Sequence, residues 1–181
     1  MRNGWWVLAT SVRAAAAVLL AAGIVAAPVR AATAEEGAVM AAREWVKAVT
    51  AYDVDTQMSL LPKRLYASPE AVERAKRMRL HEKEMAQINR EKYQSFDLQA
   101  PAATSKIGKI TLVIIPYKAV VANEKGKIER TSSLLAFAED GSSDWSVMDG
   151  SGQSFKSLKF VLPGYNGHPR IPPALSKVVT E

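Results

Sequence analysis

The hydrophobic period of this chain changes near Lys92. Before that point apolar residues recur three and four apart. After it they alternate or run together in β-branched stretches. Helices followed by strands is the order of an α+β domain, with N-terminal helices packed on a curved antiparallel sheet.

The helical part reads as follows. Val39, Ala42, Val46 and Val49, with Trp45 beside them, form one apolar stripe on a helix over residues 35–52. Thr33 is placed to cap it, and Glu35 and Glu36 suit its first turn. Met58, Leu60 and Leu61 predict a short helical turn that ends at Pro62. Ser68-Pro69-Glu70 starts a further helix that runs to about Asn89. Its stripe of Ala71, Ala75, Met78 and Met85 is thin, so a half-exposed surface helix is expected.

Strands are expected over residues 93–98, 109–122, 127–138 and 145–148, with residues 101–105 as a loop. Pro116 has no N–H to donate, so the strand over 109–122 is expected at an edge or with a bulge. That strand is apolar on both parities, which calls for a dimer or partner, or for coverage on both sides. Residues 155–162 read as a helical turn or a strand. Pro163, Gly164, Gly167, Pro169, Pro172 and Pro173 predict an extended tail.

The N-terminus carries an address. Arg2 and Arg13 precede an uncharged, Ala-rich run over residues 14–29, and small residues follow up to Glu35. This is the layout of a cleavable secretory signal peptide over residues 1–34, leaving a single domain over residues 35–181. A cut before Glu35 is preferred to one before Ala32, because two acids then follow directly. The run is shorter than the about 20 apolar residues of a bilayer-crossing helix, so no stable membrane span is expected after cleavage. The expected location is periplasmic or secreted, away from nucleotide cofactors and nucleic acid. The chain has no cysteine, which excludes thiol catalysis, Cys-bound metal and disulfides. Of the 24 basic residues, Arg2, Arg13 and Arg30 lie in the signal, whereas all 18 acids follow it. The modest positive excess that remains is no nucleic-acid footprint.

Few residues carry recognisable chemistry. His81-Glu82-Lys83-Glu84-Met85 begins like a zinc-protease helix, but Met85 stands where the second His is needed. Asp53 and Asp55 read as helix-terminal and turn residues, and Asp144 and Asp149 as frames of turns. Gly150-Ser151-Gly152-Gln153-Ser154 is neither a nucleophile elbow nor a phosphate cradle. The basic run Arg74, Lys76, Arg77 and Arg79 is interleaved with Glu70, Glu73, Glu82 and Glu84 and reads as a self-paired, solvated face. No metal and no cofactor are expected.

Three phrases carry a resemblance. They are Trp45-Val46-Lys47-Ala48-Val49-Thr50-Ala51-Tyr52-Asp53-Val54-Asp55, Ser132-Ser133-Leu134-Leu135-Ala136-Phe137-Ala138-Glu139-Asp140-Gly141, and Asp144-Trp145-Ser146-Val147-Met148-Asp149-Gly150. With the order of elements, they make residues 38–173 resemble the nuclear transport factor 2-like superfamily of cystatin-like α+β cones. The resemblance implies a pocket inside a curved sheet, serving isomerases, dehydratases, cyclases and many non-catalytic binding modules. It also puts Trp45 where the family's ketosteroid isomerases carry their oxyanion-hole Tyr, so isomerase chemistry of that kind is not expected. In such a pocket the candidate ligand-binding residues are Trp45, Tyr52, Asp53, Tyr117 and Trp145. The expectation is a non-catalytic module binding a small molecule or a protein partner. The alternatives are a lyase- or isomerase-type pocket enzyme, with a buried carboxylate beside Trp45 or Tyr52, and a self-associating protein such as a homodimer.

Overall fold

The structure is a computed structural model, and it describes residues 33–66 and 68–179. The segment read as a signal peptide lies, but for Thr33 and Ala34, outside the described residues. Helix α1 (Ala34–Thr50) opens with a capping box: the Thr33 hydroxyl accepts from the Glu36 N–H, and the Glu36 carboxylate accepts from the Thr33 N–H. Ala38, Ala41, Ala42, Trp45 and Ala48 are its buried residues. Four alanines let the backbone lie close to a sheet, with Trp45 as the one large anchor.

The end of α1 is a Schellman motif. The Tyr52 N–H bonds the Val49 carbonyl, and the Asp53 N–H bonds the Ala48 carbonyl at 2.8 Å. Glycine usually takes the left-handed position in this motif, yet here Tyr52 holds it at φ 53°. Asp53 then caps α2 (Val54–Leu60), accepting from the Thr56 N–H and hydroxyl. Buried Gln57 ties α2 back by donating to the Ala48 carbonyl. A 3₁₀ turn (Lys63–Tyr66) leads to α3 (Pro69–Ile88), capped by Ser68 with Pro69 in its first turn. This helix also ends in a Schellman motif with a non-glycine residue, Arg90 at φ 51°, in the left-handed position.

Six strands follow: β1 (Lys92–Leu98), β2 (Ala103–Ile107), β3 (Ile110–Asn123), β4 (Gly126–Glu139), β5 (Ser146–Asp149) and β6 (Leu175–Val179). Helix α4 (Phe155–Val161) lies between the last two. All pairings are antiparallel. The two long strands β3 and β4 form the central hairpin, in register from Ile110 opposite Glu139 to Asn123 opposite Gly126. Each is flanked by two short strands laid end to end: β1 and β2 along β3, β5 and β6 along β4.

This arrangement corrects the expectation for Pro116. Its strand is central, and the register with β4 runs through Pro116 opposite Ser133 without a bulge. The Pro116 carbonyl accepts from the Gln99 N–H, so its backbone faces the β1–β2 side. β1 pairs up to Tyr117 and β2 starts at Ile114, so the missing N–H falls in the gap between them. Two further expectations change. Residues 103–107 are strand, not loop, and the tail returns as β6 on β4.

The sheet is covered on both faces. Val113, Ile115, Tyr117 and Ala119 of β3 pack with α1, along with Leu134, Ala136 and Val147. Ile110, Leu112 and Ile114 pack on the other face with Leu135, Phe137, Met148 and the α4 residues Leu158 and Val161. The apolar surplus of β3 is therefore satisfied within the chain. Among the described residues no helix is long and apolar enough to cross a membrane.

Candidate functional site

A cavity of about 560 Å³ opens where α1, the 3₁₀ turn and α3 meet the sheet near the end of β5. One wall of it comes from α3. The less exposed apolar positions of that helix are Ala71, Ala75 and Ala86, and of these Ala86 lines the cavity with a side chain too short to fill it. Met78, expected on the same stripe, is 59% exposed. The wall α3 gives the cavity consists of Arg79, Glu82, Met85 and Ala86.

The opposite wall is aromatic. Trp45 and Val49 come from α1, Tyr52 from its left-handed end, and Tyr66 from the 3₁₀ turn. Tyr93 of β1 completes it. Behind these surfaces the rings form one continuous chain: Tyr52 tilted against Tyr93, Tyr93 tilted against Phe96, and Phe96 stacked on Tyr117 with centroids 4.6 Å apart. Trp45 meets Phe96 edge-on.

The floor holds a carboxylate. Asp149 lines the cavity, and its Oδ2 accepts from the Tyr117 hydroxyl at 3.0 Å. Its Oδ1 accepts from the Ser151 N–H at 2.8 Å and, at 3.5 Å, from the Ser132 hydroxyl. Register explains the convergence: Ser132 is opposite Tyr117, and Asp149 is opposite Leu134 two residues along, on the same face. Burial pushes the Tyr117 phenol well above its ordinary range, and the adjacent Asp149 charge adds to this. The hydroxyl therefore stays a donor.

The rim is charged. The Arg79 guanidinium pairs with Glu82 at 2.7 Å. Arg130 of β4 and Glu91, just past α3, also line the cavity. Burial raises the Tyr93 phenol first of all, and that of Tyr52 likewise. At both rings Arg130 pulls the other way and Glu91 adds to the rise, so both charges act on the two hydroxyls.

Of the residues singled out from sequence, Trp45 and Tyr52 line this cavity. Tyr117 lies beneath the floor and acts on it through Asp149. Asp53 is elsewhere, an exposed cap of α2 whose side chain serves Thr56. Trp145 is also elsewhere, packed with the α1 face of the sheet, its indole against Gly37. Asp149 was legible as a turn residue, and it does hold the Ser151 turn. Its second role depends on strand parity across three strands.

Two other hollows carry less chemistry. One of about 280 Å³ beside Pro62 holds Lys63, Asp144, Arg64 and Glu139, which pair among themselves. One of about 460 Å³ lies between Val39, Arg43 and Val46 of α1 and residues 96–101. Among the described residues no group of three or more His, Asp or Glu side chains is placed to hold a metal ion. The chain matches no family model, no curated protein and no solved structure.

Proposed function

We propose that this chain is an exported, periplasmic or secreted binding protein of nuclear transport factor 2-like form. Its cavity over Asp149 takes a small organic ligand and does no chemistry on it. One observation carries this reading: four aromatic residues wall a cavity whose floor carboxylate already has both oxygens in hydrogen bonds. Flat rings and a few fixed polar groups are what a ligand pocket needs, and about 560 Å³ lies within the usual range of such pockets. A general base would need a lone pair open to substrate. Tyr117, Ser132 and Ser151 already engage three of the roughly four lone pairs of Asp149. The strained position of Tyr52 supports the same reading. A residue held left-handed where glycine is easier is kept for its side chain, and that side chain lines the cavity.

The test is native mass spectrometry of the protein purified from the exported fraction of its own host. A co-purified small molecule that is lost on Trp45→Ala substitution supports the reading. A protein that carries no ligand and takes up none from a metabolite library sinks it.

The second reading is a lyase- or isomerase-type enzyme. It is favoured by the place of Asp149, a partly buried carboxylate in one cavity with Trp45 and Tyr52. Turnover abolished by Asp149→Asn, with ligand binding retained, would establish it over the first. Self-association loses its main motive, because β3 is covered on both faces within one chain.

A further inference from the structure

The cavity's polar groups differ in what they have left to give. Glu82 is committed to Arg79, and Asp149 to Tyr117, Ser132 and Ser151. Arg130 makes no ion pair or hydrogen bond among the described residues, and the Tyr52 and Tyr93 hydroxyls bond to nothing among them. An uncommitted guanidinium beside two uncommitted phenols is a cluster of donors. The guanidinium fork matches a carboxylate or sulfonate in two parallel hydrogen bonds. Opposing it on the rim is one uncommitted acid, Glu91.

We infer that the cavity takes an amphipathic organic anion, its acidic head held by Arg130 with the Tyr52 and Tyr93 hydroxyls, its apolar body against Trp45, Val49 and Leu61. This inference rests on the binding reading above. Aromatic walls alone would also suit a cation. A cation, however, would find Glu82 and Asp149 already satisfied and Arg130 repelling it. Glu91 weakens an anion's hold without supplying a second acid for a cation.

The experiment compares two fluorescent probes on the purified protein. 8-Anilinonaphthalene-1-sulfonate is an aromatic monoanion, and N-phenyl-1-naphthylamine has the same ring systems without the charge. Sharp thermal unfolding of each variant is the control, because such dyes also report loosened states. The sulfonate is expected to bind one to one. Arg130→Gln weakens it about tenfold, the value of one charge-assisted hydrogen bond. Glu91→Gln tightens it about two- to threefold by removing a like charge at partly solvated range. Neither change moves the neutral probe by more than about twofold.

If the neutral probe binds and Arg130→Gln leaves the sulfonate unchanged, the anion inference falls and the binding reading stands. The anion inference also falls, with binding intact, if Arg130→Gln tightens the sulfonate, because the guanidinium then does not hold the acidic head. If neither probe binds, both fall.

Discussion

Tyr117 and Asp149 stand on strands separated by β4, and the Tyr117 hydroxyl reaches across it to donate to Asp149 Oδ2 at 3.0 Å. Tyr117 is only 4% exposed, so this bond satisfies a phenol with little access to water. Asp149→Ala removes the acceptor and leaves the hydroxyl stranded, with an expected loss of about 1–3 kcal/mol. Tyr117→Phe removes only the donor and should cost about 1 kcal/mol. Urea denaturation of both single variants and the double variant measures the coupling. Additivity within about 0.3–0.5 kcal/mol would mean the bond contributes nothing to the fold.

All five tyrosines, at 52, 66, 93, 117 and 165, are raised above their ordinary value of 10.0, each first by burial. The sign follows from proton counting. Above about pH 10 the unfolded chain has released phenolic protons that the folded chain still holds, so stability falls as pH rises. The stabilisation is complete below that pH and is lost towards the folded-state values. Thermal unfolding between pH 8 and 11, followed with tyrosinate absorbance, should show unfolding and phenol ionisation moving together. Tyr117→Phe should flatten the alkaline slope. Gradual ionisation of the folded protein near pH 10, with no loss of stability, contradicts the burial argument.

Tyr52 separates backbone strain from side-chain function. At φ 53° a non-glycine residue costs about 1 kcal/mol relative to glycine. Tyr52→Ala keeps that strain and loses the ring contact with Tyr93, whereas Tyr52→Gly loses the ring and relieves the strain. The Gly variant should therefore be more stable than the Ala variant by about 1 kcal/mol, the reverse of their order inside a helix. Both should lose the sulfonate probe equally. Equal stabilities by thermal melting would show that the position carries no strain.

Gly37 and Trp145 fix the start of α1 against the sheet. A Cβ on Gly37 would sit 2.6 Å from the indole Nε1 of Trp145. Gly37→Ala gains about 1 kcal/mol of helix propensity but displaces the ring, with a net cost of about 1–2 kcal/mol. With Trp145→Ala already made, the same substitution should stabilise by about 0.5–1 kcal/mol. Chemical denaturation of the four proteins in the cycle reads this change of sign. One sign in both backgrounds would mean that the two residues do not meet.

Long periodic segments were the legible part of this sequence. The stripe of α1, the Ser68-Pro69 start of α3 and the β-branched run of β3 each bury a pattern that local spacing displays. What stayed hidden depends on neighbours. Residues Ala103–Ile107 alternate weakly and become strand only because β3 offers them an edge; Leu175–Val179 do so because β4 does. The cavity was hidden for the same reason. The stripe of α3 reads as thin, and only the placing of the helix against the sheet turns Arg79, Glu82, Met85 and Ala86 into one wall of a hollow. Asp149 joined the site through register, and Arg130 through facing the same side of β4 as Ser132. Single-residue chemistry shows neither.

The end-to-end placing of the short strands has a consequence during folding. Both long strands are interior, so neither presents its full row of N–H and C=O groups outward. The outward rows belong to segments of 7 and 5 residues on one side and 4 and 5 on the other, interrupted where one strand gives way to the next. A stranger's strand can align with such a margin for only a few hydrogen bonds before it meets a break. A chain with no disulfide to lock its fold gains from this a geometric defence against polymerising through its own sheet.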